Sequence, residues 1–124
     1  MRAIAVLAGL LVAQAALACG YCVEDKIAAA YDHSVIVSAM DRRHQVAFLS
    51  VEGATAKSEE RTLARAVETT AGVDKGSVRV SLEGGALSFA FDPSRHPLTS
   101  IVDGIQRKLA AKGAAVSVLR VVKD

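Results

Sequence analysis

The sequence has no tryptophan, three phenylalanines and two tyrosines, 4% aromatic residues in all. That poverty excludes a platform on which bases or sugars could stack. Two cysteines in 124 residues exclude a disulfide-stapled scaffold. Net charge is nearly absent as well: 15 Lys+Arg against 13 Asp+Glu leave +2. Nothing electrostatic draws such a chain to nucleic acid, and Arg42-Arg43 is too short a basic run to change that. No Gly-x-Ser-x-Gly, His-Glu-x-x-His or phosphate-cradling glycine loop occurs, and Glu59-Glu60 and Glu68 read as the wet face of a helix. The chain is therefore read as a non-enzyme. What is present is an apolar fraction of 52% beside 23% charged residues, enough for one folded core and too little chain for two.

Residues 1–18 have the secretory signal pattern. Arg2 precedes an uncharged apolar run from Ala3 to Ala13, and Ala16-Leu17-Ala18 supplies an A-x-A cleavage site. The run is shorter than the about 20 residues a membrane span needs. The protein is read as exported, to a periplasm, with Cys19 as the first mature residue. A lipidated cysteine occupies the same place in a lipoprotein, but such signals carry leucine three residues earlier, where this chain has Ala16. Membrane association follows only if Cys19 is acylated.

Residues 19–43 form a helical extension. Val23, Ile27 and Tyr31 recur every four residues among Glu24, Asp25 and Lys26, and Asp32-His33-Ser34 can end one helix and cap a second that begins near Val35. From His44 to Asp124 the pattern changes. Val46 to Val51 reads as a strand buried on both faces or nearly so. A helix follows from Ser58 to Thr70, with Leu63, Ala66, Val67 and Thr70 in one stripe and Gly72 as its stop. Val78, Val80 and Leu82 alternate into the Glu83-Gly84-Gly85 turn, and Leu87, Phe89 and Phe91 alternate on the way back. Leu98, Ile101, Val102, Ile105 and Leu109 make a second amphipathic helix, ended by Gly113. The last strand holds Val116, Val118 and either Leu119 or Val121. Two striped helices need one apolar sheet face, so the order predicts an α+β, ferredoxin-like βαββαβ sandwich over residues 44–124.

The run Val51-Glu52-Gly53-Ala54-Thr55-Ala56-Lys57-Ser58-Glu59 is similar to the metal loop of heavy-metal-associated domains, Gly-Met-Thr-Cys-x-x-Cys between the first strand and first helix. The similarity continues through Ala71-Gly72-Val73, the hairpin, Phe91-Asp92-Pro93, the second helix and Gly113, about eighty residues in all. The resemblance implies this fold, a soft metal ion as cargo, and a metal-donor or metal-acceptor protein as partner. The loop itself departs from the family: Ala56 and Glu59 stand in the places of its two cysteines and Ala54 in that of its methionine. Neither alanine nor a lone glutamate holds a soft ion.

The only thiols lie in Cys19-Gly20-Tyr21-Cys22, displaced into the extension. Three readings of this pair stay open. It can bind a soft metal, Cu(I) before Zn(II), since Cu(I) is satisfied by few ligands whereas tetrahedral zinc needs two more. It can be a redox dithiol at a helix N-terminus, where the dipole favours the thiolate. It can be a plain disulfide formed after export, which would leave a metal-free interaction module. His33 is the candidate third ligand, with a solvated or capping residue as its bland alternative. Eleven residues separate Cys22 from His33 and His33 from His44, about 16 Å along a continuous helix, so His33 joins the thiols only if the chain turns back near Asp32. His44 reads as the start of the first strand, His96 as part of the Asp92–Pro97 turn, and Tyr21, Tyr31 and Met40 as packing residues.

Overall fold

The structure, a computed structural model, describes residues 23–53 and 59–124. Chain order is α1 (residues 23–29), α2 (His33–Asp41), β1 (Gln45–Glu52), α3 (Glu60–Glu68), β2 (Arg79–Ser81), β3 (Ala86–Phe91), α4 (Leu98–Ala110) and β4 (Ala115–Val122). The strands form one antiparallel sheet in the order β2-β3-β1-β4. From β1 onward this is the ferredoxin-like βαββαβ arrangement expected from the periodicities. The signal segment, both cysteines and loop residues 54–58 lie outside the described residues.

The odd-numbered side chains of β1 and β3 point to one face. There Ala47, Leu49, Val51, Leu87, Phe89 and Phe91 meet Leu63 and Val67 of α3 and Ile101, Ile105 and Leu109 of α4. Each helix presents its apolar stripe to that face. Gly53 closes the strand with φ +93°, and a Cβ on it would lie 2.4 Å from the carbonyl oxygen of Gly113. The β1–α3 turn and the α4–β4 turn therefore meet through a glycine that no other residue can replace without moving backbone.

The sheet's other face is also buried, which is where the structure departs from a two-layer reading. Val46, Phe48, Ala86 and Ala90 pack against Ile27 and Ala30 of the α1 segment and Val35 and Ala39 of α2. Every residue of β3 is buried for this reason, although alternation suggested one inward face only. The small residues Ala86, Ser88 and Ala90 let the helices approach the sheet closely. Gly84 serves the same end at the hairpin, where a Cβ would lie 2.4 Å from the Ala29 methyl.

Across this face α1 follows a single cross-strand row. Arg120 of β4, Phe48 of β1, Ser88 of β3 and Arg79 of β2 are register neighbours. Arg120 Nη2 donates to Glu24 Oε1 at 2.7 Å. Ile27 and Phe48 share a core. Ser88 Oγ donates to the Ala30 carbonyl at 2.7 Å, capturing an acceptor freed at the helix end. Arg79 Nε donates to Asp32 Oδ2 at 2.9 Å. The row exists because of a bulge: Phe48 pairs with Arg120 but Leu49 with Val118, leaving Leu119 as the extra residue. The two-residue count puts Leu119 and Arg120 on the α1 side together, while Val116 and Val121 stay on the other.

Asp32 also begins α2. Its Oδ1 accepts from the Ser34 amide at 2.9 Å and the Ser34 hydroxyl at 2.6 Å. The Ser34 hydroxyl, then the Arg79 guanidinium, then the Ser34 amide hold its carboxyl at about 2, below the ordinary 3.8. Because the folded value is the lower one, this stabilisation is complete above pH 4 and disappears as pH falls toward 2. Asp32→Asn keeps a capping side chain but loses the charge. The variant is expected to be less stable at neutral pH and to show a flatter stability curve between pH 4 and 2. Chemical denaturation across that range measures both.

Candidate functional site

The place that holds metal in the resembling family corresponds here to the β1–α3 connection. Its described flanks, Glu52, Gly53 and Glu59, bring no soft ligand to it. Among the described residues no group of three His, Cys, Asp or Glu side chains is arranged to hold a metal ion. Any thiolate chemistry has to come from Cys19 and Cys22, which precede the first described residue, Val23.

The route of α1 bears on which groups can work together. Its first turn is tied to β4 through Glu24 and Arg120, and the chain after its last turn is tied to β2 through Asp32 and Arg79. These are the two edge strands of the sheet. Three inter-strand gaps, about 14 Å at ~4.8 Å each, separate them. Val23, the neighbour of Cys22, packs against the α1–α2 cluster and directly precedes Glu24, which Arg120 of the β4 edge holds. His33, at the start of α2, lies beside the β2 edge, exposed, with its Nδ1 3.0 Å from the Tyr31 hydroxyl. The chain does turn at Asp32, as a shared site would require, but it turns onto the sheet. Tyr31, expected to pack, is 51% exposed. Met40 is a core residue as expected, packed against the α1–α2 cluster.

Near the middle of α1, Lys26 Nζ donates to Ser50 Oγ at 2.6 Å and lies 3.8 Å from where a Gly85 Cβ would be. This places one cation between the helix, β1 and the hairpin. Glu24 has its carboxyl held below the usual range by the hydrogen bond and charge of Arg120. The helix nearest the thiols is thus pinned by side-chain contacts as well as by its apolar stripe.

At the opposite end of the sheet the structure assembles a cluster that sequence reasoning did not connect. His44 Nδ1 is 2.6 Å from Asp74 Oδ2, and its Nε2 is 3.8 Å from Asp92 Oδ2. Arg42 Nη2 reaches the same Asp74 oxygen at 3.5 Å. His96 lines the cavity above them with Arg95. Hydrogen bonds from the Ser94 hydroxyl and amide lower the Asp92 carboxyl, assisted by the charges of His44 and Arg95. His44 directly precedes β1, one residue short of the strand start expected for it, and His96 sits in the turn as read from sequence. Their meeting follows from the pairing of Gln45 with Phe91, which sets residues 44 and 92 side by side. The β1–β3 register was the signal that could have revealed it. Hydrogen-bonded to Asp74 and approached at longer range by Asp92, His44 links three turns.

No family model and no curated protein matches this chain. Solved structures do. The oxidized MerP from Ralstonia metallidurans CH34 aligns with a TM-score of 0.51 at 26% identity, over 62% of this chain and 99% of that one. A copper binding domain from HMA7, a P-type ATPase, aligns with a TM-score of 0.51 at 21% identity, over 62% of this chain and 96% of that one, a likeness of fold. No helix among the described residues is long and apolar enough to cross a membrane.

Proposed function

We propose that this heavy-metal-associated-like domain is an exported, periplasmic carrier that captures a soft metal ion, Cu(I), and passes it to a partner protein, with Cys19 and Cys22 as its thiolates. The observation that carries the proposal is the fastening of α1. The helix that follows Cys22 is tied to all four strands by Glu24–Arg120, Ile27–Phe48, Ala30–Ser88 and Asp32–Arg79. The described chain begins at Val23, the residue after Cys22, in a helix held along the sheet, and this supports reading the pair as part of the domain's chemistry. A fastened helix next to a ligand pair shortens the length of chain that has to be ordered when the pair closes around an ion. The expected ligand loop of the fold is chemically empty, with Ala56 and Glu59 in the cysteine places, so the displaced pair takes over its role.

Two thiolates satisfy Cu(I) in a low-coordinate geometry. Zinc would need two further ligands, and His33 sits across the sheet from Val23, which makes zinc the weaker fit. Transfer is ligand exchange without change of oxidation state. An incoming partner thiolate adds to the two-coordinate ion, one of Cys19 or Cys22 departs and takes up a proton, and a second exchange completes the move. The domain's part is to present the pair on a surface the partner can dock against.

Reduced protein titrated with Cu(I) against a competing chelator tests the reading, with iodoacetamide-alkylated protein as the control. One ion retained per reduced chain and none by the alkylated chain is the expected result. Equal retention by both, or retention by neither, overturns it; a pair that resists reduction points instead to the disulfide-bearing module, and ready exchange with glutathione without metal retention to the redox protein.

A further inference from the structure

Ser34 and Ser38 of α2 and its cap residue Arg42 recur every four residues and share an exposed face beside the buried Val35 and Ala39 row. Opposite that row stand Lys75 in the turn before β2 and Arg79 at the start of the strand. Between them lies a cleft of about 220 Å³. Three cations line it and no carboxylate does.

The two nearby carboxylates serve to fix the guanidinium groups. Asp32 Oδ2 takes Arg79 Nε at 2.9 Å, and Arg79 Nη1 donates to the carbonyls of Gly76 at 3.0 Å and Val78 at 2.8 Å. Arg79 is thereby held in one orientation with Nη2 unassigned among the described residues. Arg42 is held more loosely, by Asp74 at 3.5 Å on an oxygen already shared with His44, and by its Nε on the Ser38 carbonyl at 3.4 Å. Lys75 Nζ and the Ser38 hydroxyl have no partner among the described residues. The amide at the start of α2 is already used, since Ser34 N donates to Asp32. The side chains, not the helix end, define the cleft.

We propose that this cleft is a binding site for a phosphate group, free or as a phosphomonoester. Arg79 and Arg42 are partly compensated by Asp32 and Asp74 outside the cleft lining, whereas the Lys75 ammonium has no partner among the described residues, and a dianionic ligand supplies the counter-charge inside the cleft. A tetrahedral oxyanion offers separate acceptors to the Lys75 ammonium, the free edge of Arg79, the Arg42 guanidinium and the Ser38 hydroxyl. Because Arg79 is already ordered, its contact costs little conformational entropy on binding. The volume exceeds that of a five-atom oxyanion and leaves room for a short organic substituent. The cleft lies by the β2 edge and includes neither thiol, so the two proposals stand or fall separately.

Amide chemical shifts of the full chain, followed during titration with inorganic phosphate at constant ionic strength, test the site. Saturable shifts at Ser38, Gly76 and Ser77 in the millimolar range are expected, with sodium chloride giving none. Lys75→Gln, which breaks no contact among the described residues, should weaken binding at least tenfold, and Lys75→Gln/Arg42→Gln should abolish it while Cu(I) retention is unchanged. Tighter binding of glycerol 3-phosphate identifies a phosphomonoester as the ligand, and equal binding identifies free phosphate. Absence of saturable shifts in the wild type, or equal affinity in Lys75→Gln, overturns the proposal.

Discussion

Exchange of both thiols, Cys19→Ser/Cys22→Ser, is expected to lower Cu(I) retention against a competing chelator by about a hundredfold or more, because loss even of groups supporting a ligand costs about 10–100-fold. Glu59→Ala should change nothing measurable, since a single carboxylate adds little to a soft ion's coordination. The converse substitution is as informative. Ala56→Cys/Glu59→Cys introduced into the serine background places a thiol pair where the resembling family carries one. Recovery of one retained ion per chain is the expected result, measured by the same competition. Unchanged retention in the Cys19→Ser/Cys22→Ser protein would remove the thiols from the mechanism altogether. The fold comparison alone could never decide this, because the aligned domains share a scaffold with this chain and not a demonstrated ligand set.

Why the scaffold was readable and parts of the site were not has a physical explanation in particular residues. Period-four stripes such as Ile101, Ile105 and Leu109 and period-two runs such as Leu87, Phe89 and Phe91 are produced by large apolar groups facing a core. Gly72 and Gly113, with φ of +98° and +78°, mark the turns that follow the two helices of the ferredoxin-like domain. The last strand gave two possible phases, Leu119 or Val121, because the bulge at Leu119 shifts the alternation in mid-strand. Neither phase was wrong: Leu119 faces the α1 side and Val121 the α3–α4 side.

The covered second face was harder to see. Ala86, Ser88 and Ala90 are small enough to suit either solvent or a closely packed helix, and a sequence does not distinguish the two. Only the run Val46–Val51, apolar but for Ser50, hinted at burial on both sides. The same limit applies to the phosphate cleft. The Ser34–Ser38–Arg42 spacing is visible on the helix, but Lys75 and Arg79 join it only once α2 is known to lie over β1 and β3. The CxxC, by contrast, is legible at once, because two adjacent thiols in a cysteine-poor chain announce chemistry without needing tertiary structure.

Truncation of two of the three core phenylalanines separates a three-layer domain from a two-layer one. Phe89 lies under α3 and α4, and Phe48 lies under α1 and α2; both are essentially fully buried. Were the extension a detachable tail, Phe48 would stand on a wet sheet face, and Phe48→Ala would cost little. With α1 fastened along the Arg120–Phe48–Ser88–Arg79 row, Phe48 is a core residue, and its loss leaves a cavity as well as forfeiting its transfer free energy. Phe48→Ala and Phe89→Ala are each expected to cost about 3–5 kcal/mol in urea unfolding. The Phe48 variant should also expose the α1 segment, seen as faster amide exchange at Ile27 and Ala30 than in the Phe89 variant. A cost for Phe48→Ala below about 1 kcal/mol, the range of ordinary surface changes, would detach the extension from the domain. The support for the proposed carrier would then go with it, since that proposal rests on α1, the helix that begins directly after Cys22, being held to the sheet by this side chain.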